Sequence, residues 1–376
     1  MDLNLTEEQR LIVDSAAEFL AAHSTSAQVR QVTETPGGWD ATLWQGLAEL
    51  GWCGIHTAEE QGGLGLGVVE LALLQEQLGR RLACVPYFDS VALAASALRG
   101  LAGHPSADAA LQELASGAQC FALALPQPSS TSASASARAE LQADGSWQLH
   151  GLWPQVGSAS LAQQLLLLAH QPNGVWGLWL VPANAPGLRI EALATVDATR
   201  LQAQVQAEGV PVSASQLLAQ GEALEALLAR TRCIAAIALA AEQVGVAQQA
   251  LDLTLAYTLE RQQFEKPIAS FQGVKHRCAH MLVAVETARS AVYGAACLAD
   301  TQPDDATLVR LAAHALSEAT QAALYTTREA IQLHGGVGFT WEYDPHLYFR
   351  RAQASSQRLA PTHWWLEQVA QQLLDA

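Results

Sequence analysis

Four alanine- and leucine-rich segments with helical periodicity follow one another at the C-terminal end of the chain, at 222–260, 271–300, 304–335 and 343–373. Each must bury its apolar stripe on a neighbour, so these residues predict a helical bundle. Upstream, from about 116 to 213, the pattern is different. The runs CFALAL, SWQLHG, QLLLLAH, VWGLWLVP and RIEALA are short, apolar and bounded by Gly, Pro, Asn and Asp, which is the punctuation of a β-sheet. Residues 1 to about 115 again have helical periodicity, with Thr6 placed to cap the first helix and Gln9 as its capping-box partner. The expected architecture is α+β, with a helical domain at 1–115, a middle β-barrel or sandwich domain at 116–215 and a four-helix bundle at 216–376.

Composition narrows the function. Half of the 376 residues are hydrophobic and 15% are charged, enough apolar material for large cores. The formal charge of −16, from 36 acidic against 20 basic residues, repels phosphate backbones and excludes nucleic acid as the expected partner. It leaves room for a local cationic site. The six cysteines are scattered without a C-x-x-C pair, so neither a zinc knuckle nor a redox pair is expected. The opening MDLNLTEEQRLIVDSAAEFL is an acidic amphipathic helix pattern and not a leader, and apolar runs such as CIAAIALAA are short for a bilayer. The expectation is a cytoplasmic protein with no membrane span.

Two stretches have the composition of loops. GGLGLG at 62–67 lacks the third glycine and the strand–turn–helix setting of a dinucleotide fingerprint, and reads as loop glycines. The tract PQPSSTSASASAR at 126–138 is low-complexity and polar, and reads as a loop. His276 and His280 have a metal-compatible i, i+4 spacing, but Lys275 and Arg277 flank them, and an exposed helix face is the expectation.

Two further stretches carry chemistry. In YTLERQQFEKPIASFQ (257–272), Arg261 and Phe264 are three apart, on one face if helical, just before Lys266-Pro267 stops the regular turn. In IQLHGGVGFTWEYDPHLYFRRAQ (331–353), Gln332 ends a helix, and Gly335, Gly336 and Gly338 allow phosphates to approach the main chain. Taken alone, that second stretch also fits a Schellman turn joining two helices.

Together, Arg261-x-x-Phe264 and Gln332-x-x-Gly335-Gly336 resemble the flavin clamp of the acyl-CoA dehydrogenase family. The resemblance extends to LAELGWCGIHTAEEQGGLGLGVVELALLQEQLGR (47–80) and LHGLWPQVGSASLAQQLLLLAH, and so to nearly the whole chain. It implies FAD-dependent α,β-desaturation of an acyl-CoA thioester, in which a carboxylate removes the α-proton and FAD accepts the hydride. It further implies that Arg261 pairs with the FAD pyrophosphate, that Phe264 packs near the adenine end, and that Gln332, Gly335 and Gly336 bind the same half. In the family this half serves the neighbouring subunit's site, so a homo- or hetero-oligomer is implied, with an electron-transfer flavoprotein as the usual acceptor.

The sequence departs from the family in three places. Glu265 stands where Gly usually follows Phe264. Ala124-Leu125-Pro126-Gln127 stands where a Thr-Glu-Pro-Gly loop usually contacts the flavin ring. The usual base position falls on Leu359, and the alternative position on Ala235, neither of which can take a proton. Glu242, two helical turns beyond Ala235 in an apolar run, is the remaining candidate base, with a structural Glu paired to an arginine as the other reading. Two functions follow from this pattern. One is an acyl-CoA dehydrogenase acting on a bulky or steroid-derived acyl-CoA. The other is a non-catalytic subunit that supplies the adenine and pyrophosphate clamp to a paralogous catalytic chain.

Overall fold

The computed structural model describes residues 5–35, 37–126, 137–143, 145–301 and 304–374. Helices come first: α1 (Glu7–His23), α2 (Ser26–Glu34), α3 (Ala41–Glu49), α4 (Val68–Arg80), α5 (Ala95–Arg99) and α6 (Pro105–Ala115). The expected capping box at α1 is present, with the Gln9 N–H donating to Thr6 Oγ1 and the Thr6 N–H to Gln9 Oε1. The GGLGLG stretch is a loop, as read, with Gly62 and Gly65 at positive φ.

Strands follow: β1 (Phe121–Leu123), β2 (Arg138–Leu141), β3 (Trp147–Gly157), β4 (Gln164–His170), β5 (Trp176–Pro182), β6 (Leu188–Ala192), β7 (Gln202–Val212) and β8 (Leu217–Gln220). They form one eight-stranded sheet in the order β6-β7-β3-β2-β4-β5-β8, with β1 parallel to β4. Its core includes Leu149, Trp153, Leu165, Leu167, Trp179, Val181, Val205 and Val210. β7 was not among the predicted strands. Its sequence QAQVQAEGVPV alternates polar with small apolar residues, and Ala203, Val205, Ala207, Val210 and Val212 face the core.

Helices then resume: α7 (Gly221–Glu260), α8 (Gln272–Asp300), α9 (Asp305–His334), α10 (Pro345–Ser355) and α11 (Thr362–Leu374). The predicted single helix at 343–373 is therefore two: α10 closes at Ser355, and Pro361, just before α11, has no N–H to carry an unbroken helix through the gap. Between α7 and α8, β9 (Gln262–Gln263) and β10 (Lys266–Pro267) make a small antiparallel hairpin.

The chain divides into two compact units. One holds Met1–Gln31, Val68–Ala83 and Ala236–Ala376. Within it α8 buries Cys278, Met281, Val285, Ala288 and Val292, packing on α4 and α9. At 29 residues and a mean hydropathy of 1.2 over its most apolar window, α8 is long and apolar enough to cross a membrane. A helix packed along one face in a core has the same length and composition, and α8 buries such a face.

In the same unit α4 and α7 cross at backbone contact. A Cβ on Gly79 would lie 2.2 Å from the Glu242 carbonyl oxygen, and one on Gly245 would lie 2.0 Å from that of Glu76. Buried Glu76 is held by Arg289 at 3.2 Å and by the Tyr293 hydroxyl at 2.8 Å.

The other unit holds Val32–Gly67 and Cys84–Ala235. There His56 is fully buried, its Nε2–H donating to the Val91 carbonyl at 2.8 Å and its Nδ1 accepting from Arg99 at 2.8 Å. Residues 88–94 form a π-helical stretch in which Asp89 accepts a 2.6 Å hydrogen bond from Ser158.

Candidate functional site

The clamp residues lie at the ends of α7 and α9. α7 closes at Glu260, and the Arg261 N–H still donates to the Tyr257 carbonyl at 2.8 Å. The chain then turns back through the hairpin, closed by the Ile268 N–H donating to the Arg261 carbonyl at 2.8 Å. Phe264 and Glu265 form its two-residue tip, at φ 52° and 65°. Arg261 and Phe264 are thus not on one helix face, as their spacing predicted. Two consecutive positive φ values are what a tight two-residue hairpin turn demands. This also accounts for the glycine usual at position 265, since left-handed backbone suits glycine and costs other residues energy.

The tip is exposed: Phe264 has 85% of its surface open, its ring edge-on to Phe271 at 6.1 Å. Lys266 Nζ lies 4.5 Å from the Phe271 ring centre. Arg261 is exposed, and its guanidinium has no hydrogen-bond or ion-pair partner among the described residues.

α9 ends at His334, two residues past Gln332 and one short of the bound predicted for the segment 304–335. Gly335 adopts φ 66°, ψ −141°, its N–H donating to the carbonyls of Gln332 and Ile331. That ψ lies outside the left-handed helical region of a Schellman cap, so the plain C-capping reading does not hold. A Cβ on Gly335 or Gly336 would meet nothing within 4 Å, whereas one on Gly338 would meet the Ile331 carbonyl oxygen at 2.8 Å. Packing therefore explains Gly338 and leaves Gly336 facing open space. Gln332 is exposed beside them.

Sequence reasoning missed the residues that join the two halves of the clamp. Tyr257, one turn before Arg261, donates its hydroxyl to the His334 carbonyl at 3.3 Å and stacks on the His334 ring with centroids 4.3 Å apart. Tyr343 stands edge-on to both rings, at 6.0 and 6.2 Å. The His334 Nδ1–H donates to the Ala330 carbonyl at 2.7 Å, and burial holds the imidazole pKa below its usual value. No sequence signal links residues 77 positions apart.

An exposed guanidinium, a glycine turn that opens onto free space and a nearby aromatic ring suit a dinucleotide pyrophosphate, so these residues fit FAD. The candidate base positions look different. Leu359 is buried, with 3% of its surface exposed, and Ala360 and Ala235 are buried too. Glu242 is buried on α7, and its Oε1 lies 3.3 Å from Arg351 Nη1 on α10, itself buried. Residues 124–126, at the usual flavin-ring loop, are held by the main chain of β4 and by Arg232. The Ala124 N–H donates to Leu166, and the Arg232 guanidinium donates to the Pro126 carbonyl at 2.9 Å. Gln127 and the serine-rich tract to residue 136 lie outside the described residues. His276 and His280 are both exposed on α8.

Comparison with known proteins places the chain. Residues 6–118 match the description "Acyl-CoA dehydrogenase, N-terminal domain", and residues 224–358 match "Acyl-CoA dehydrogenase, C-terminal domain". Acyl-CoA dehydrogenase IpdE2 of Mycobacterium tuberculosis is 35% identical over 355 residues, 94% of this chain and 93% of its own. Among solved structures, the ChsE4-ChsE5 complex of M. tuberculosis superposes with a TM-score of 0.90 at 26% identity, with full coverage of both chains. A variant of the Tcur3481-Tcur3483 steroid ACAD does so at 0.85 and 30% identity, over 98% of each chain. The chain belongs to the acyl-CoA dehydrogenase family of FAD-dependent oxidoreductases.

Proposed function

We propose that this chain is a subunit of a heteromeric acyl-CoA dehydrogenase, holding the adenine and pyrophosphate half of FAD while a paralogous chain supplies the catalytic base. The observation that carries this is Glu242. This candidate base is tied to Arg351 in a buried pair, and Leu359, at the usual base position, is apolar and buried. A base must reach the α-carbon of its substrate and exchange a proton there. Locked onto a guanidinium between packed helices, Glu242 serves the structural role in this reading.

In this reading Arg261 neutralises pyrophosphate charge, the main chain at Gly335 and Gly336 approaches the phosphates, and Gln332 hydrogen-bonds beside them. Phe264 shields the adenine end from water. Bound FAD supplies the hydride acceptor for α,β-desaturation.

Two of the similar structures carry the names of two chains each, and one of these is named a steroid ACAD, which supports a heteromer and a bulky, steroid-derived acyl-CoA. The rest of the reading is an electron-transfer flavoprotein as acceptor, a cytoplasmic location, and domains at 1–115, 116–215 and 216–376.

The test is the FAD-to-subunit ratio and the turnover of the chain purified alone and with its paralogue. The expected result is little FAD and no turnover alone, with both gained on co-purification. One FAD per subunit and turnover by the lone chain would overturn the division of labour.

A further inference from the structure

The clamp is built on two helix ends, and a clamp works only if its arms keep their spacing. Tyr257 touches both. Its carbonyl accepts from the Arg261 N–H, which fixes the start of the hairpin arm. Its hydroxyl donates to the His334 carbonyl. That carbonyl shares a rigid peptide plane with the Gly335 N–H, so holding one orients the other. The same N–H is anchored to the carbonyls of Gln332 and Ile331 at the end of α9. The peptide is therefore pinned at both edges, just before Gly335 turns the chain through a backbone conformation open to glycine. The His334 ring, fixed by its bond to Ala330, gives Tyr257 a flat partner, and Tyr343 closes the third side.

We infer that Tyr257, stacked on His334, is the positioning residue that sets the distance between the Arg261 arm and the Gly335–Gly336 arm of the dinucleotide clamp. The inference rests on the FAD reading above. Tyr257 touches no reacting atom in this account. It acts through Arg261 on one side and through the His334–Gly335 peptide on the other. Its loss weakens recognition of the ADP portion of FAD, the part the two arms hold, and spares the flavin-ring portion.

The test uses the assembled flavoprotein with Tyr257→Phe, Tyr257→Leu and Arg261→Ala in this chain. The readouts are the dissociation constants of FAD, of ADP by competition and of FMN, and the melting temperature of the flavin-free protein. Tyr257→Phe keeps the stack and loses one hydrogen bond, so FAD and ADP bind about fivefold more weakly. Tyr257→Leu loses the stack as well, for a loss of about tenfold or more. FMN affinity stays unchanged in both. If Arg261→Ala weakens ADP and Tyr257→Phe leaves it at the parent value, the positioning role is wrong and the clamp stands. If Arg261→Ala also leaves ADP unchanged, the clamp reading itself fails. Equal weakening of FMN and ADP, in step with a lower melting temperature, would reduce Tyr257 to a packing residue. Should Tyr257→Leu not fold, Tyr257→Phe alone decides.

Discussion

Glu242 on α7 and Arg351 on α10 form an ion pair at 3.3 Å with both side chains buried. Removing one member strands the other charge away from water. Arg351→Ala should therefore destabilise the protein by about 3–5 kcal/mol in urea denaturation, and replacing both by Leu and Met should recover most of that loss. Single variants within about 1 kcal/mol of the parent, the range of exposed pairs, would show that the pair is solvated and would return Glu242 to consideration as a base.

The glycines divide by what surrounds them. Gly79→Ala and Gly245→Ala drive a methyl group into a facing backbone, and each should cost about 3 kcal/mol or more, beyond the usual overpacking range, because a backbone cannot swing aside. Gly336→Ala meets open space, so its melting temperature should match the parent while FAD affinity falls. A stable Gly79→Ala protein would mean that α4 and α7 separate more readily than their contact implies.

Glu265 occupies a left-handed backbone position better suited to glycine. Glu265→Gly should relieve about 1 kcal/mol of local strain, less the entropy a glycine adds to the unfolded chain. The sensitive observable is hydrogen exchange at the Ile268 amide, which closes the hairpin on Arg261. Slower exchange is expected, and faster exchange would show that Glu265 stabilises the turn by another route.

His56 gives stability a pH dependence. Burial first, and the Arg99 charge second, lower its pKa to about 3 from 6.5, so the folded protein keeps it neutral where the unfolded chain would protonate it. Its contribution is complete above pH 6.5 and is lost as the pH falls from there towards 3. The free energy of unfolding should drop across that window by an amount on the order of 4 kcal/mol, and His56→Gln should flatten the drop. A parallel decline in both proteins would assign it to other groups.

The sequence disclosed the order of helices, sheet and helices because apolar periodicity is a local property. The Thr6–Gln9 box and the strand runs from Phe121 to Pro182 were legible for the same reason. β7 escaped because its inward residues are small and its outward ones are glutamines. The Arg261–Phe264 spacing suits a helix as well as a hairpin, and only the positive φ values at Phe264 and Glu265 separate the two. The Tyr257–His334 contact and the Glu242–Arg351 pair escaped for a different reason. They join residues far apart in the chain, and one sequence has no local pattern for such pairs.

The tip at Phe264 ends a hairpin that follows a forty-residue helix, and Leu259, Phe339 and Trp341 are also largely exposed near the ends of α7 and α9. A solitary copy thus meets water with bulky apolar groups that its own core does not cover. In the heteromer proposed above, an excess of either chain would leave such surface unmatched among other chains. Balanced synthesis of the proposed pair would then keep each one in solution, before any substrate arrives.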